Sequence, residues 1–329
     1  MKKFLAVPLV LAALALGVNA AFAHNSRTIQ TGIVLVKTNL AYENASAAGT
    51  GMVLTSNGEV LTNNHVIRGA TTIKVVVPAT KKTYTATVVG YDATDDVSVL
   101  QLQHASGLAT ISLGSSSALK VGQAVTAIGN AGGTGVLTTA RGSITALAQN
   151  ITVSDDQGGT ESLAGLVQTN ANLQPGDSGG PLLNSAGKVI GMDTAASAGF
   201  SYVNSTTQGY AIPINKALTL AKQIVGKTSS ATVHIGGTAF LGVSVEPAGY
   251  FDTNGVVVAG VVANGPVAGA GIVTGDVITA VDGTTVTSST DLVNVLLGHH
   301  PGDKISLTWS DQSGNSQTAT VTLASGPPQ

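Results

Sequence analysis

The chain of 329 residues contains no cysteine. This absence excludes disulfide bonds, thiol nucleophiles and cysteine-based metal sites. Charged residues are also scarce, at 10% of the chain, and the formal net charge is −2. An average soluble protein has about 25% charged residues. No basic stripe is present, so nucleic acid is not expected as a partner. Aromatic residues make up only 4%, whereas glycine occurs 41 times, which favours many short strands joined by turns.

Long hydrophobic runs are missing except at the N-terminus. Met1-Lys2-Lys3 precedes an apolar run from Phe4 to Val18, and Ala21-Phe22-Ala23 follows it. A positive start, an apolar middle and an Ala-x-Ala motif are typical of a secretory signal peptide, here residues 1–23. The alternative is an uncleaved membrane anchor, because the run is close to spanning length. Both interpretations place the remaining chain outside the cytoplasm. An exported chain without cysteine favours a bacterial source.

Two β-rich regions are predicted on either side of a stretch rich in glycine, serine and threonine. The predicted strands lie at 33–36, 52–54, 72–77, 84–89, 97–102, 123–128, 142–147 and 188–193, and then at 240–245, 255–262, 276–281, 304–309 and 316–323. Helical periodicity is clearest from Ile214 to Val225, and Ser289 to Leu297 predicts a second helix. We therefore predict a barrel or pair of barrels at 24–226, a linker at 227–238 and a second domain at 239–325.

The most informative stretch is LQPGDSGGP at residues 173–181. A serine flanked by glycines suits a tight turn whose backbone N–H groups converge beside an exposed hydroxyl. Such N–H groups can stabilise an oxyanion while the hydroxyl attacks a carbonyl carbon. We predict Ser178 as the nucleophile, and the N–H groups of Gly176 and Ser178, joined by that of Asp177, as the oxyanion hole.

Two upstream motifs supply a base and an acid. His65 lies in LTNNHVI after a β-like run, and Asp96 stands directly before the strand predicted at 97–102. The order His, Asp, Ser is that of chymotrypsin-like barrels. His65 would take the serine proton and return it to the leaving amine, while Asp96 would hold the imidazole in the correct tautomer. Asp95 competes for the acid role. Asp96 is favoured because an acid at the start of a strand can be buried against the imidazole.

Together these motifs resemble the HtrA (Deg) family of exported chymotrypsin-like serine proteases with a C-terminal PDZ domain. The resemblance rests on GTGMV at 49–53, LTNNHV at 61–66, DVSVL at 96–100, the Ser178 turn and GYAIP at 209–213. It implies a mainly β fold, with a double β-barrel at 24–226 and a PDZ domain (a β-sandwich with a helix) at 239–325. It also implies an ATP-independent endopeptidase that degrades or processes unfolded or damaged proteins, in protein quality control and the stress response. No cofactor or metal motif is found in the chain.

The resemblance further assigns binding residues. The specificity pocket would contain Asn172 at its base and Thr194 and Ala195 on its wall, so cleavage after lysine or arginine is not expected. The substrate would add a strand along residues 191–195. In the second domain a carboxylate-binding loop and its helix would hold peptide ligands through Phe240, Leu241, Gly242, Val243, Leu292 and Leu296. A core role is the alternative for the two helix leucines.

Several positions depart from the family pattern. Asp177 stands where the family usually has asparagine, and we hypothesise Arg141 as its ionic partner, the alternative being that both face water. Asn170 stands where aspartate is frequent. A homotrimer is implied by the resemblance, but the short segment before the barrel and the short loop at 40–48 disfavour trimerisation through an N-terminal arm. The competing function is a chaperone or peptide-binding envelope protein whose protease activity is latent or narrowly specific.

Overall fold

The computed structural model describes residues 29–42, 44–154, 160–194, 208–246 and 254–329. The predicted signal peptide and the predicted pocket residue Ala195 lie outside these residues. In the described ranges no helix is long and apolar enough to cross a membrane.

The first six strands form a sheet that closes on itself. They are β1 (Ile33–Leu40), β2 (Ala45–Val53), β3 (Glu59–Thr62), β4 (Thr72–Val77), β5 (Lys82–Asp92) and β6 (Val97–Leu102). Their order is β5-β4-β1-β2-β3-β6, all neighbours pair antiparallel, and a further pairing of β5 with β6 closes the ring. A one-turn helix, α1 (Asn64–Ile67), follows β3 and carries His65. The first barrel thus presents the predicted base at the end of a core strand.

A second closed barrel follows. Its strands are β7 (Ala124–Gly129), β8 (Thr138–Ser154), β9 (Thr160–Thr169), β10 (Pro181–Leu183), β11 (Val189–Thr194) and β12 (Gly209–Pro213), ordered β10-β11-β12-β9-β8-β7. Helix α2 (Ile214–Val225) buries one apolar face in a core to which both barrels contribute. The double β-barrel and the single closing helix are confirmed.

The segment predicted as a linker contains a strand. β13 (Val233–Ile235) pairs antiparallel with β5 and so extends the first sheet. Val233 is buried in the barrel core. Three residues give no alternating pattern to recognise, and their partner strand lies far away in the sequence. This part of the chain is therefore attached to the first barrel.

The C-terminal domain is a small β-sandwich with one helix. Its strands are β14 (Thr238–Phe240), β15 (Val243–Val245), β16 (Val256–Val261), β17 (Val277–Val281), β18 (Thr284–Thr285), β19 (Lys304–Ser310), β20 (Ser316–Thr322) and β21 (Ala324–Gly326). The main sheet has the order β15-β16-β17-β19-β20, which leaves β15 at an edge, and β14 pairs with β21. Helix α3 (Ser289–Leu297) starts at an N-cap, Ser288, whose side chain accepts the Asp291 N–H at 3.1 Å. Trp309, the only tryptophan, is buried in this domain's core.

Candidate active site

His65 and Asp96 meet in a close, two-pronged contact. His65 Nδ1 lies 3.0 Å from Asp96 Oδ1 and 2.9 Å from Oδ2, and the His65 backbone N–H donates to Oδ1 at 2.9 Å. Asp96 is 1% exposed, whereas the His65 side chain is 23% exposed. With Nδ1 held by a buried carboxylate, Nε2 is the ring nitrogen left to exchange a proton with a hydroxyl. The pair has the arrangement required of a general base and its orienting acid.

The neighbouring acid has a different environment. Asp95 is partly exposed, and its Oδ1 forms an ion pair with Lys216 Nζ at 2.6 Å. Its backbone N–H donates to Asp92 Oδ1 at 2.9 Å, which fixes the turn before β6. The geometry thus favours Asp96 over Asp95 for the acid role.

Thr194 contacts the same carboxylate from the second barrel. Its Oγ1 donates to Asp96 Oδ2 at 3.1 Å, and the residue is 3% exposed at the end of β11. The resemblance implied a pocket wall for Thr194 and did not indicate this contact. No local motif signals it, because Thr194 ends a strand of the second barrel and Asp96 lies in a turn of the first.

The turn that carries Ser178 is held by the first barrel. Thr50 N–H donates to Ser178 O at 2.8 Å, and Thr50 Oγ1 donates to Gly176 O at 2.7 Å. Thr62 Oγ1 in turn donates to Thr50 O at 2.7 Å. These bonds place the predicted nucleophile, 5% exposed, where the two barrels meet.

Gly176 is suited to the oxyanion role by its backbone. Its φ is +97°, and an added Cβ would lie 2.2 Å from Asn130 O, so only glycine fits. Pro175 O accepts the Gly132 N–H at 2.7 Å, which points the Gly176 N–H of the same trans peptide the other way. Among the described residues this N–H has no acceptor. It is therefore available to a substrate oxygen.

The prediction that Asp177 joins the oxyanion hole is wrong. Its N–H donates to Gln174 O at 3.0 Å and so closes the turn internally. The hypothesis of an Arg141 partner is also wrong. Arg141 is exposed on β8, whereas the Asp177 carboxyl is buried, accepts the Gln174 N–H at 2.9 Å through Oδ2, and has no partner at Oδ1 in the described structure.

A second buried carboxyl lies close to the Asp177 side chain. Asp193 is fully buried, neither of its oxygens has a partner among described residues, and its backbone pairs with Gly179 and Gly180 of the serine turn at 2.8 Å each. Burial raises the pKa of Asp193 well above its ordinary value, and the nearby Asp177 charge adds to the shift. Burial also raises the pKa of Asp177, which the bond from Gln174 opposes.

The raised pKa predicts a pH-dependent stability. Below the unfolded-state pKa of about 3.9 the Asp193 carboxyl is protonated in both the folded and the unfolded state, so it adds no pH dependence to the stability. Above it, the unfolded state loses the proton before the folded state does, so the free energy of unfolding falls as pH rises until the folded pKa is passed. Within that window each pH unit changes the unfolding equilibrium by about tenfold. Asp193→Asn is expected to remove this decline.

The measurement is urea unfolding from pH 4 to 8, followed by circular dichroism. Tryptophan emission would report only the C-terminal domain, since Trp309 lies there. Asp95→Asn serves as the control, because Asp95 is partly exposed and paired with Lys216. A stability difference between wild type and Asp193→Asn that does not vary with pH would contradict the prediction.

The remaining predicted pocket residue in the described structure, Asn172, lies at the surface. Its Oδ1 accepts from Gln174 Nε2 at 2.8 Å. None of the hydrogen bonds among the described residues joins the Asn172 side chain to Asp96 or Thr194. The assignment of Asn172 to the base of a specificity pocket stays a prediction.

A cavity of about 640 Å³ lies between the edge strand β15 of the C-terminal domain and the first barrel. The first barrel lines it with Tyr42, Arg68 and Gly69, and residues 327–329 line it as well. Of the predicted peptide-binding residues, Phe240 and Val243 line it, together with Ser289 at the start of α3. The N–H groups of Leu241 and Gly242 have no acceptor in the described part of the chain. The cavity therefore combines a free strand edge with unpaired N–H groups nearby, the features used to bind an extended peptide.

The two helix leucines predicted to contact peptide do not line this cavity. Leu292 is 3% exposed in the domain core, and Leu296 is partly buried against that core. Leu241 is likewise a core side chain, at 2% exposed. The core alternative holds for Leu292, because α3 turns this side chain towards the sheet.

Comparison with known proteins divides the chain into the same two parts as the structure, a double barrel and a C-terminal domain. Residues 49–192 match the trypsin-like peptidase domain family, and residues 239–323 match the PDZ domain family. The solved structure of the HtrA-type protease AlgW with a tripeptide is 30% identical, with a TM-score of 0.51 over 91% of this chain and 95% of that one.

Three curated relatives are serine proteases by name. The serine protease PepD of Mycobacterium tuberculosis is 37% identical over 88% of this chain and 63% of its own length. The serine protease Do-like HtrA of Lactococcus lactis subsp. cremoris is 35% identical over 85% of this chain and 71% of its own length. The periplasmic pH-dependent serine endoprotease DegQ of Escherichia coli is 34% identical over 79% of this chain and 55% of its own length. The chain thus spans less than two thirds of PepD and DegQ. With the two barrels, the PDZ fold and these matches together, the chain belongs to the HtrA family of serine proteases.

Proposed function

We propose that this protein is an ATP-independent serine endopeptidase that cleaves unfolded or damaged proteins outside the cytoplasm. The observation that carries the proposal is the buried Asp96 carboxylate holding His65 Nδ1 at 2.9 Å, beside a serine turn with an available Gly176 N–H. Serine peptidases need this combination, since the hydroxyl alone is a weak nucleophile.

The proposed reaction follows from the roles of these groups. His65 removes the Ser178 hydroxyl proton as Oγ attacks the scissile carbonyl carbon, and the resulting oxyanion accepts from the Gly176 and Ser178 N–H groups. Asp96 stabilises the imidazolium that forms. His65 then gives its proton to the leaving amine, and water hydrolyses the acyl-enzyme by the same steps in reverse order.

The extracytoplasmic location is supported by the N-terminal sequence pattern and by the periplasmic name of the E. coli relative. The cavity along β15 supports peptide binding by the PDZ domain, and the related AlgW was solved with a tripeptide. The proposed substrates are accordingly polypeptides with accessible extended segments, with further peptides as PDZ ligands.

The test is casein cleavage by the protein from residue 24 onward. We expect hydrolysis of casein, and slower hydrolysis of a tightly folded protein until that protein is unfolded, because an added strand requires an extended chain. Fragments are separated by electrophoresis and their ends are read by mass spectrometry. The absence of fragments after lysine or arginine would agree with the lack of a carboxylate at the predicted pocket.

The competing function, a chaperone or a narrowly specific processing enzyme, predicts other results. A chaperone would suppress aggregation of unfolded substrate without producing fragments. A processing enzyme would leave casein intact and cleave only one partner. Either outcome would overturn the proposed general endopeptidase.

A further inference from the structure

The end of the described chain leaves the PDZ domain and packs against the first barrel. We call residues 324–329 the strap. Its first half, β21, pairs with β14, and Pro328 O then accepts the Gly69 N–H at 2.8 Å. The backbone oxygen of Gln329 accepts from Asn64 Nδ2 at 2.9 Å. Pro328 and Asn64 are buried, so these bonds lie in a packed interface.

The same Gln329 backbone lies near a second catalytic segment. It is close to the hydroxyl of Tyr91, a residue only 1% exposed at the end of β5. The Tyr91 hydroxyl also lies 3.1 Å from Thr238 Oγ1 of β14. Tyr91 begins the short segment that leads to Asp96, and Asn64 directly precedes His65. The strap therefore bonds to the segment that carries the base and lies close to the segment that leads to the acid.

Helix α1 needs such support. It has four residues and one backbone bond to its C-cap, Arg68 N–H to Asn64 O at 2.9 Å, and its N-cap Asn63 makes no side-chain capping bond. A single isolated turn of helix is unstable in water. The position of His65 therefore depends on contacts from outside the helix.

Resting on the proposed function, we propose that the strap holds the His65–Asp96 pair in register, with Asn64 as the positioning residue. Asp96 anchors α1 at its start through the His65 N–H, and Pro328 anchors the end through Gly69. The PDZ domain thereby contributes to peptide hydrolysis without touching the substrate at the cleft.

Two variants of the full chain test this proposal. Removal of residues 327–329 deletes the bonds from Gly69 to Pro328 and from Asn64 to Gln329, but keeps β21 in place beside β14. Asn64→Ala keeps the strap and loses only the amide donor. Asn215→Ala is the matched control, because its side chain bonds to Ser115 and Ser116 rather than to the strap. Trp309 emission checks the PDZ fold in each variant.

We expect kcat on a short peptide to fall about 10- to 100-fold in both test variants, since small displacements of catalytic groups have large effects. KM should change less than about twofold, and Asn215→Ala should behave as wild type. Hydrogen exchange at the His65 and Arg68 amides should become faster, which a role confined to Gly69 would not produce.

Unchanged kcat together with unchanged His65 exchange in the deletion variant would overturn the proposal. If Trp309 emission shows that the deletion disturbs the PDZ domain, Asn64→Ala decides by the same criteria. If wild type itself hydrolyses no peptide, the proposed function fails, and exchange at His65 still decides whether the strap positions α1.

Discussion

Replacing Ser178 by alanine is expected to lower kcat for peptide hydrolysis by about 10⁶-fold, because no other group can form the acyl-enzyme. The fold should remain intact, since Ser178 is tied to the first barrel through its backbone oxygen, which accepts the Thr50 N–H at 2.8 Å. The measurement is kcat/KM on a chromogenic peptide, together with labelling by a fluorophosphonate, which reacts with activated serines. Neither signal should be detectable in the variant.

Ser185→Ala is the matched control, because Ser185 is an exposed serine in the turn between β10 and β11 of the second barrel. It should hydrolyse and label as wild type does. Residual hydrolysis by Ser178→Ala above about one per cent of wild type would identify another nucleophile, given the loss of about 10⁶-fold expected for a catalytic serine. Aggregation suppression retained by the inactive variant would show a separate binding activity.

Asp96→Asn is expected to lower kcat by about 10⁴-fold. The carboxylate accepts from the His65 N–H and from Thr194 Oγ1 while it holds His65 Nδ1. An amide has only one acceptor oxygen. If that oxygen stays on the His65 N–H, the amide nitrogen faces Nδ1, which must then accept. The ring proton moves to Nε2, so His65 can no longer take a proton from Ser178.

Asp95→Asn controls for the loss of one carboxylate in the same turn. Its ion pair with Lys216 is partly exposed, and such pairs contribute little to stability. Activity should stay within about twofold of wild type, and circular dichroism should show both variants folded. Equal losses of kcat in the two variants would show that the turn as a whole matters, rather than the Asp96–His65 contact.

Sequence reasoning reached those parts of the site that lie in short local motifs. His65, Asp96 and Ser178 each stand in a characteristic run of residues, and the strand directly after Asp96 favoured that residue over Asp95. The glycine at 176 was predicted for its turn, and the structure supplies the steric reason, the closeness of Asn130 O. Apolar periodicity also gave helix α2 with its observed bounds.

The parts that depend on pairing between distant strands were not accessible. Arg141 was expected beside Asp177, but in the β7–β8 register it stands opposite Thr126 and faces outward. The bond from Thr194 to Asp96 joins two barrels, and the closeness of Asp193 to Asp177 follows from where β11 crosses the serine turn. None of these neighbours is encoded by spacing along the chain.

The PDZ domain is fastened to the first barrel at both its beginning and its end, through β13 on β5 and through the strap on α1. Two domains joined by a flexible tether meet with an effective concentration set by tether length. Here the start of the domain is held to the first barrel by the pairing of β13 with β5, so the effective concentration is not set by a tether length. A polypeptide held along β15 would approach His65 by a path of set length and direction, which makes the spacing between tethered segment and cleavage point a property of the folded protein.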